Sequence, residues 1–302
     1  MNGFIRKFGL ESSDGIRVEL NGEQDIWLTD PAGLGISSAP KLADYGGGFF
    51  GSTDNRYEPQ QTITFTLNFM GASPYAEYQA FLDTIYSAEQ WYLCYQPDEA
   101  SVEYRRKISF RSITKTELTK TRWLECTASA VCLAPWQTTQ KIKFTSVSAV
   151  TGSGKPYWEG KITPMGHLPA HCVYSFKASE PRKIYGGQAF YGNPPGAVLA
   201  GAEEIGTAWN VSFLDNPVSL ATGETLIVST LPNDFRAQII TPAGKVKSVI
   251  DHLDTLFGTA QGLPPNALPV SGETSIRFII QVDSIRAADT LNAEIYYFYK
   301  GV

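Results

Sequence analysis

The chain has 302 residues, of which 43% are hydrophobic, 12% aromatic and 18% charged. This composition excludes a disordered chain, the length predicts two domains, and no apolar stretch reaches the roughly 20 residues of a membrane span. The net charge of −5 falls within residues 1–140, where 12 cationic side chains face 17 acidic ones; this argues against sequence-specific binding of nucleic acid, which requires clustered cations.

The N-terminus carries cations but neither an apolar segment nor a small-residue cleavage site, so we expect no signal peptide and synthesis in a cytosol. The first glycine-rich stretch begins at Gly33-Leu34-Gly35, after the apolar run that starts at Ile26. A dinucleotide loop requires a third glycine and a following helix, but Ser38 replaces that glycine and Pro40 follows. We therefore predict a turn and no nucleotide cofactor.

The next segments predict strands and one helix. Residues Thr62–Phe69 alternate between polar and apolar side chains, as expected for a half-buried antiparallel strand. Ser73 as N-cap and Pro74 as first helical residue predict a helix over about 74–88. Its apolar residues at helical spacing are Tyr75, Tyr78, Phe81, Leu82 and Ile85. Further strands are predicted at 91–95, 104–110 and 122–133.

The composition changes after Trp136, where residues 137–156 are rich in Thr, Ser, Lys and Gly and predict a linker. We place one domain at 1–140 and another at 141–302. The second half contains many short strand patterns separated by Gly and Pro and no helix of useful length, which favours a β-sandwich or jelly roll. These strands are predicted at 171–177, 182–190, 209–214, 224–229, 236–241, 245–250, 275–282 and 292–299.

Catalytic and metal-binding motifs are incomplete. Gly152-Ser153-Gly154-Lys155 lacks the first glycine and the hydroxyl residue of a phosphate-binding loop. Ser112 and Lys115 have the spacing of a serine–lysine pair but lie in a predicted strand, on opposite faces. His167 and His171 are separated by Pro169, which breaks the helix they would need to bind a metal together. We therefore predict no catalytic residue and no metal.

The cysteines do not predict a disulfide framework. Cys126 and Cys132 are six residues apart in a strand, about 20 Å at the usual rise, which is too far for a bridge. Cys94 and Cys172 lie singly among apolar residues, as small buried cysteines do.

Aromatic residues near predicted loops of the second half leave a carbohydrate site open, because sugar rings stack on such side chains. The candidate contacts are Tyr157, Trp158 and Trp209, with Tyr185 and Tyr191 nearby. Glu159 and Asp215 are the corresponding carboxylates for glycoside hydrolysis, although surface charges at strand ends are the better explanation of both. A carbohydrate-binding module is therefore an alternative function, and a wall glycosidase a more distant one.

The order of several segments resembles the distal tail protein family of siphovirus-type bacteriophages. In the first 136 residues these are "IWLTDPAGLGI", "TITFTLNF", "YSAEQWYLCY", "YRRKISF" and "RWLECTASAVCLAPWQ". The final segments "LPVSGETSIRFII" and "AEIYYFYKGV" are similar to the C-terminal parts of such proteins.

The resemblance implies a mainly β protein with two β-sandwich domains. The N-terminal one would carry a single helix and an extended hairpin and assemble as a hexameric ring; the C-terminal one would be galectin-like. The implied role is a structural hub at the tail tip. It would join the tail tube to a tail-associated lysin or fibre protein and hold receptor-binding proteins or contact a wall saccharide. The resemblance implies no catalytic residue and no cofactor.

The strand at 104–110 and the residue after it supply the candidate ring interface. Alternation places Arg105, Lys107 and Arg111 on one face, so we predict a short cationic stripe on an otherwise acidic domain. A head-to-tail ring requires two complementary patches on each protomer, and a basic stripe facing a neighbour's acidic surface would supply such a pair. A merely solvated strand face is the alternative.

Overall fold

The computed structural model describes residues 6–23, 25–38, 41–44, 50–54, 57–118, 122–147, 156–163, 165–191, 207–213, 216–232, 234–253 and 276–302. The chain divides into two compact units. The first comprises Met1–Thr138 together with Tyr299–Val302, and the second comprises Thr139–Phe298. The first unit is thus built from two separate segments of the chain, and the sequence did not predict that the last four residues return to it.

The first unit is an antiparallel sheet with one helix. In chain order it contains β1 (Lys7–Ser12), β2 (Arg17–Glu19), β3 (Ile26–Ala32), β4 (Ile36–Ser38), β5 (Lys41–Asp44), β6 (Phe50–Asp54), β7 (Tyr57–Pro59), β8 (Thr62–Phe69), α1 (Pro74–Ser87), β9 (Trp91–Gln96), β10 (Tyr104–Lys115) and β11 (Leu124–Cys132). Seven strands form the main sheet, in the order β2-β1-β9-β10-β11-β8-β3. The backbone of Leu20 bonds to both Phe8 and Leu28, so the two ends of this sheet meet around one core.

The core of this unit follows from the alternation predicted for β8. Ile63, Phe65, Leu67 and Phe69 are all buried, which confirms the predicted face. The Phe69 ring contacts the rings of Tyr78 and Phe81 from α1, each with centroids 5.6 Å apart. The helix is thereby fixed on the sheet by edge-to-face aromatic contacts.

The predicted helix is confirmed, but its start is stabilised differently from the prediction. Ser73 makes no side-chain capping bond to the helix. Instead the Glu77 carboxylate accepts hydrogen bonds from the backbone N–H of Gly71 at 3.0 Å and of Ser73 at 3.2 Å. A Cβ atom at Gly71 would overlap that carboxylate, so a glycine is required there for Glu77 to reach back.

A two-stranded ribbon leaves the main sheet between β3 and β8. Strand β4 pairs with β7, and β5 pairs with β6; we call these four strands, which lie within residues 36–59, the ribbon. Within the part of the chain that the structure describes, the ribbon pairs with no strand of the main sheet. It is the extended hairpin that the family resemblance implied.

The second unit is a β-sandwich. Its strands are the C-terminal part of β12 (Trp136–Ile142), β13 (Thr145–Val147), β14 (Tyr157–Ile162), β15 (Leu168–Lys177), β16 (Arg182–Tyr191), β17 (Thr207–Ser212), β18 (Val218–Leu220), β19 (Thr225–Leu231), β20 (Asp234–Ile240), β21 (Val246–Ser248), β22 (Ile276–Val282) and most of β23 (Thr290–Tyr299). One sheet has the order β23-β15-β19-β20-β21, and the other joins β13-β14-β22-β16, with β17 and β18 paired to β16. Alternate residues on strands of both sheets are buried, as expected for two sheets facing across a core.

One sequence prediction at this boundary needs correction. Residues 137–147 were predicted as linker, but most of them belong to β12 and β13, whose side chains Thr138 and Ile142 are buried. The Thr151–Lys155 segment of the predicted linker lies outside the described residues. In the described part of the chain no helix is long and apolar enough to cross a membrane.

Candidate assembly interface

The predicted cationic stripe lies on β10, but its charges are not all free. The Arg105 guanidinium forms ion pairs with Glu11 at 3.0 Å and with Glu103 at 3.6 Å. Strand β9 separates β1 from β10, so the sequence did not show that Glu11 lies within reach. Arg111 is exposed at a bulge between Phe110 and Ser112, which interrupts the predicted alternation. The binding role of these cations stays a prediction, but Arg105 is neutralised by its own chain.

Arg17, which lies on β2, forms ion pairs with the same acidic residues. Its guanidinium lies 2.7 Å from Glu19, 2.7 Å from Glu103 and 3.4 Å from Glu11. Hydrogen bonding to Glu103 raises the pKa of Arg17. The side chain crosses over Gly9, where an added Cβ atom would approach the guanidinium to 3.0 Å. Gly9 therefore leaves the space in which this network of two arginines and three glutamates forms.

One group among the described residues has the composition of a metal site. Ligand atoms of Glu11, Cys94 and Glu103 lie within 4.8 Å of one another. However, Arg17 and Arg105 already pair with both carboxylates. Burial raises the pKa of the Cys94 thiol to about 12, so the thiol is protonated at neutral pH. The group is better described as a buried thiol beneath an ion-pair network.

All four cysteines are free, in agreement with the predicted absence of a disulfide framework. Cys94, Cys126 and Cys172 are buried.

The turn at Gly33-Leu34-Gly35 joins the ribbon to the sheet. Gly33 has a φ of +89°, and a Cβ atom there would lie 2.2 Å from the Thr62 carbonyl oxygen. This finding confirms the predicted turn and shows that Gly33 is required for it. Gly35 has open space around its Cβ position, but its carbonyl accepts a hydrogen bond from the N–H of Gln60 at 3.4 Å.

Two buried side chains hold this turn. The Trp136 indole N–H donates a 3.0 Å hydrogen bond to the Leu34 carbonyl oxygen. Arg106, which is 2% exposed, donates to the carbonyl oxygens of Ala134 and Gln60. Its guanidinium lies 5.6 Å from the centre of the Trp136 ring, a cation–π contact. We call the set Leu34, Gly35, Gln60, Arg106 and Trp136 the ribbon root.

The candidate carbohydrate contacts of the second unit do not share one environment. Tyr157 is only 7% exposed, so its ring belongs to the core and offers no stacking face, contrary to the sequence analysis. Trp158, next to it on β14, is partly exposed. The Trp209 backbone lies in β17, but its side chain and the whole of Asp215 are outside the described residues. A carbohydrate site therefore stays a prediction that rests on Trp158 and Trp209.

The comparison with protein families identifies the N-terminal part of the chain. Residues 7–133 match the family model of the distal tail protein, N-terminal domain. Residues 7–133 therefore belong to the family of distal tail protein N-terminal domains. The protein is a structural component of the tip of a bacteriophage tail. No curated protein matches its sequence.

Two solved baseplate structures share the fold along the whole chain. A chain of the phage p2 baseplate in its activated conformation with Sr has a TM-score of 0.61 and 13% identity, over 99% of this chain and 100% of that chain. The p2 baseplate with Ca gives the same values. The SPP1 Dit (gp 19.1) protein, described as a paradigm of the hub adsorption apparatus in phages infecting Gram-positive bacteria, has a TM-score of 0.45 and 10% identity, over 91% and 98% of the chains.

Residue patterns alone located neither of the two features that surround the Gly33 turn, although the family resemblance implied an extended hairpin. The ribbon strands have three to five residues each, too short for a clear alternation. The run Gly46-Gly47-Gly48, which comes between β5 and β6 in the sequence, is the one signal that could have indicated it. Nothing local marks Arg106 and Trp136 as contacts of that turn, because they are distant from it in sequence.

Proposed function

We propose that the protein is the structural hub of the tail tip, with no catalytic role. The first unit forms a ring of six identical chains, as the family resemblance implies. This ring joins the tail tube to a tail-associated lysin or fibre protein. The second unit, a galectin-like sandwich, holds receptor-binding proteins. The family match and the fold shared with phage baseplate chains support this proposal.

The ribbon is the observation that supports the proposed ring. An isolated two-stranded hairpin is at best marginally stable in water, and both of its edges expose unpaired backbone groups. Within the described chain, no strand of the main sheet covers the ribbon. A neighbouring copy that receives the ribbon would remove this cost. Each protomer then gives its ribbon to one neighbour and receives one from the other, which is the heterologous contact that a closed ring requires.

The cationic stripe has a smaller part in this proposal. Lys107 and Arg111 are the members of the stripe that supply charge to a neighbour, because Arg105 is committed to Glu11 and Glu103. The excess acid of the first 140 residues gives the neighbour a complementary surface. Such contacts tune the association and make it sensitive to salt, whereas the ribbon provides the main contact.

The experiment is to shorten the ribbon without disturbing its root. Ser38 and Tyr57 are cross-strand partners, so residues 39–56 can be replaced by Asn-Gly, which closes a two-residue hairpin. We expect the parent chain to sediment as a closed ring and the shortened variant as a monomer of normal thermal stability. A parent chain that is monomeric, or a shortened variant that still forms the ring, would contradict the proposal.

A carbohydrate-binding role of the second unit is a separate candidate, favoured by the partly exposed Trp158 ring on β14. We expect Trp158→Ala to weaken binding to purified host-wall polysaccharide without changing the mass of the ring. Equal binding by the parent and the variant would remove this candidate and leave the hub proposal intact.

A further inference from the structure

Both chain connections of the second unit are attached to the ribbon root. Trp136 begins β12, along which the chain passes into the second unit, and its indole N–H donates to the Leu34 carbonyl oxygen. The chain leaves the second unit through Tyr299–Val302, which we call the returning segment. The Val302 N–H approaches the same Leu34 carbonyl oxygen at 3.5 Å. One carbonyl at the start of the ribbon thus accepts hydrogen bonds from both connections.

The returning segment is fitted closely to the first unit. A Cβ atom at Gly301 would lie 2.9 Å from the carbonyl carbon of Gly35 and 3.0 Å from its Cα, so the two backbones touch. The Tyr299 ring meets the Tyr104 ring edge to face, with centroids 5.1 Å apart. Leu34, Tyr299 and Val302 all pack against the core of the unit. These contacts fix the segment at both of its ends.

Arg106 connects the other strand of the hairpin to the same place. Its guanidinium donates to the carbonyl oxygen of Gln60, which follows β7, and stacks on Trp136. Its Nη1 atom is buried without a hydrogen-bond partner among the described residues. A buried arginine without a carboxylate partner is costly, so it is retained only where its geometry has a use. Here it ties the second strand of the ribbon to the residue that opens β12.

We propose that the ribbon root is a coupling device. In it, the two connections of the second unit fix the direction in which the ribbon leaves the sheet. Docking of the ribbon on a neighbour and attachment of the returning segment then stabilise each other. By linkage, the free energy by which docking favours attachment equals the free energy by which attachment favours docking. This inference rests on the proposed ring, because it concerns what controls the ribbon that forms it.

Two matched glycine variants test the coupling. Gly301→Ala places a methyl group against the Gly35 backbone and displaces the returning segment, whereas Gly35→Ala adds the same methyl group to open space. In the ribbon-shortened monomer we expect Gly301→Ala to accelerate hydrogen exchange of the Gln60 amide by about tenfold, and Gly35→Ala to leave it unchanged. Equal exchange in both variants would overturn the inference.

A second measurement uses the full-length chain and keeps the two proposals apart. We expect Gly301→Ala to weaken ring formation while each unit keeps its thermal transition. Rings of parent stability in this variant would reject the coupling and leave the hub intact. A parent chain that never forms a ring would reject the hub, whereas the exchange test on the monomer would still decide whether the returning segment stabilises the ribbon root.

Discussion

Trp136 and Leu34 lie 102 residues apart in the sequence, and the indole N–H of the first donates a 3.0 Å hydrogen bond to the carbonyl oxygen of the second. Trp136 is completely buried, whereas Leu34 is partly exposed. The hydrogen bond joins the turn from which the ribbon leaves to the strand that continues into the second unit. A glycine turn that resembled the start of a nucleotide site is thus an attachment point within the fold.

The two glycines of this turn are expected to differ in their tolerance of a side chain. Gly33→Ala forces a Cβ atom against the Thr62 carbonyl oxygen at a positive φ, and we expect it to lower the free energy of unfolding by about 2 kcal/mol. Gly35→Ala meets no atom within 4 Å and should change it little. Chemical denaturation of both variants measures the difference. Equal losses would show that the turn does not depend on the backbone geometry of Gly33.

Lys107→Glu with Arg111→Glu is the cleaner test of the cationic stripe. Arg105→Glu would place a carboxylate beside Glu11 and Glu103, so its effect on assembly would be mixed with a loss of stability. We expect the double variant to unfold within about 0.5 kcal/mol of the parent and to form a weaker ring. Parent rings should also weaken as salt is raised. A double variant with parent-like assembly would show that these cations face solvent.

Features of the fold that depend on residues near one another in the sequence could be predicted, whereas contacts between residues distant in the sequence could not. The strand Thr62–Phe69 and helix α1 carry their own periodic patterns, because one face of each meets the core. The network around Arg17 is spread over β1, β2, β10 and the residue before β10, and it follows from strand pairing, which no local pattern records. The buried Tyr157 was misjudged for a similar reason, since an aromatic near a loop has the same sequence signal whether its ring faces solvent or the core.

Arg17 is expected to protect the Cys94 thiol. Cys94 is 1% exposed, and Glu103, which accepts two hydrogen bonds from Arg17, lies beside its sulfur atom. Because Arg17→Ala removes the cover over Gly9 and Cys94, a thiol reagent should modify Cys94 faster under native conditions. Peptide mapping of the labelled protein identifies the site. Arg236→Ala, which breaks an exposed ion pair with Asp234 in the second unit, is the control and should leave Cys94 protected.

The second unit should depend on the ion pair between Arg182 and Asp289. Their side chains are 3% and 0% exposed, and the Arg182 Nε atom lies 3.1 Å from Asp289. Burial opposes ionisation of Asp289, but hydrogen bonds from Ser179 and Arg182 outweigh it and lower its pKa. Asp289→Asn leaves the buried guanidinium without this partner, and we expect it to destabilise the unit by about 3 kcal/mol or more.

The lowered pKa of Asp289 also fixes the direction of the pH dependence. Its contribution to stability is complete above the unfolded-state pKa of about 3.9 and is lost as the pH falls through the lower folded-state value. We therefore expect the parent to lose stability below about pH 4 more steeply than Asp289→Asn. Asp283→Asn, at an exposed carboxylate, is the control. A parent and an Asp289→Asn variant with parallel acid transitions would contradict this assignment.

The central claim is that the ribbon of residues 36–59 assembles this chain into the ring of a phage tail tip. The measurement that tests it most directly is the mass in solution of the parent and of the variant in which Asn-Gly replaces residues 39–56. We expect the parent to have six times the 33.1 kDa mass of one chain, and the variant to be a folded monomer. A parent and a variant that are both monomers, or that both form the ring, would contradict the claim.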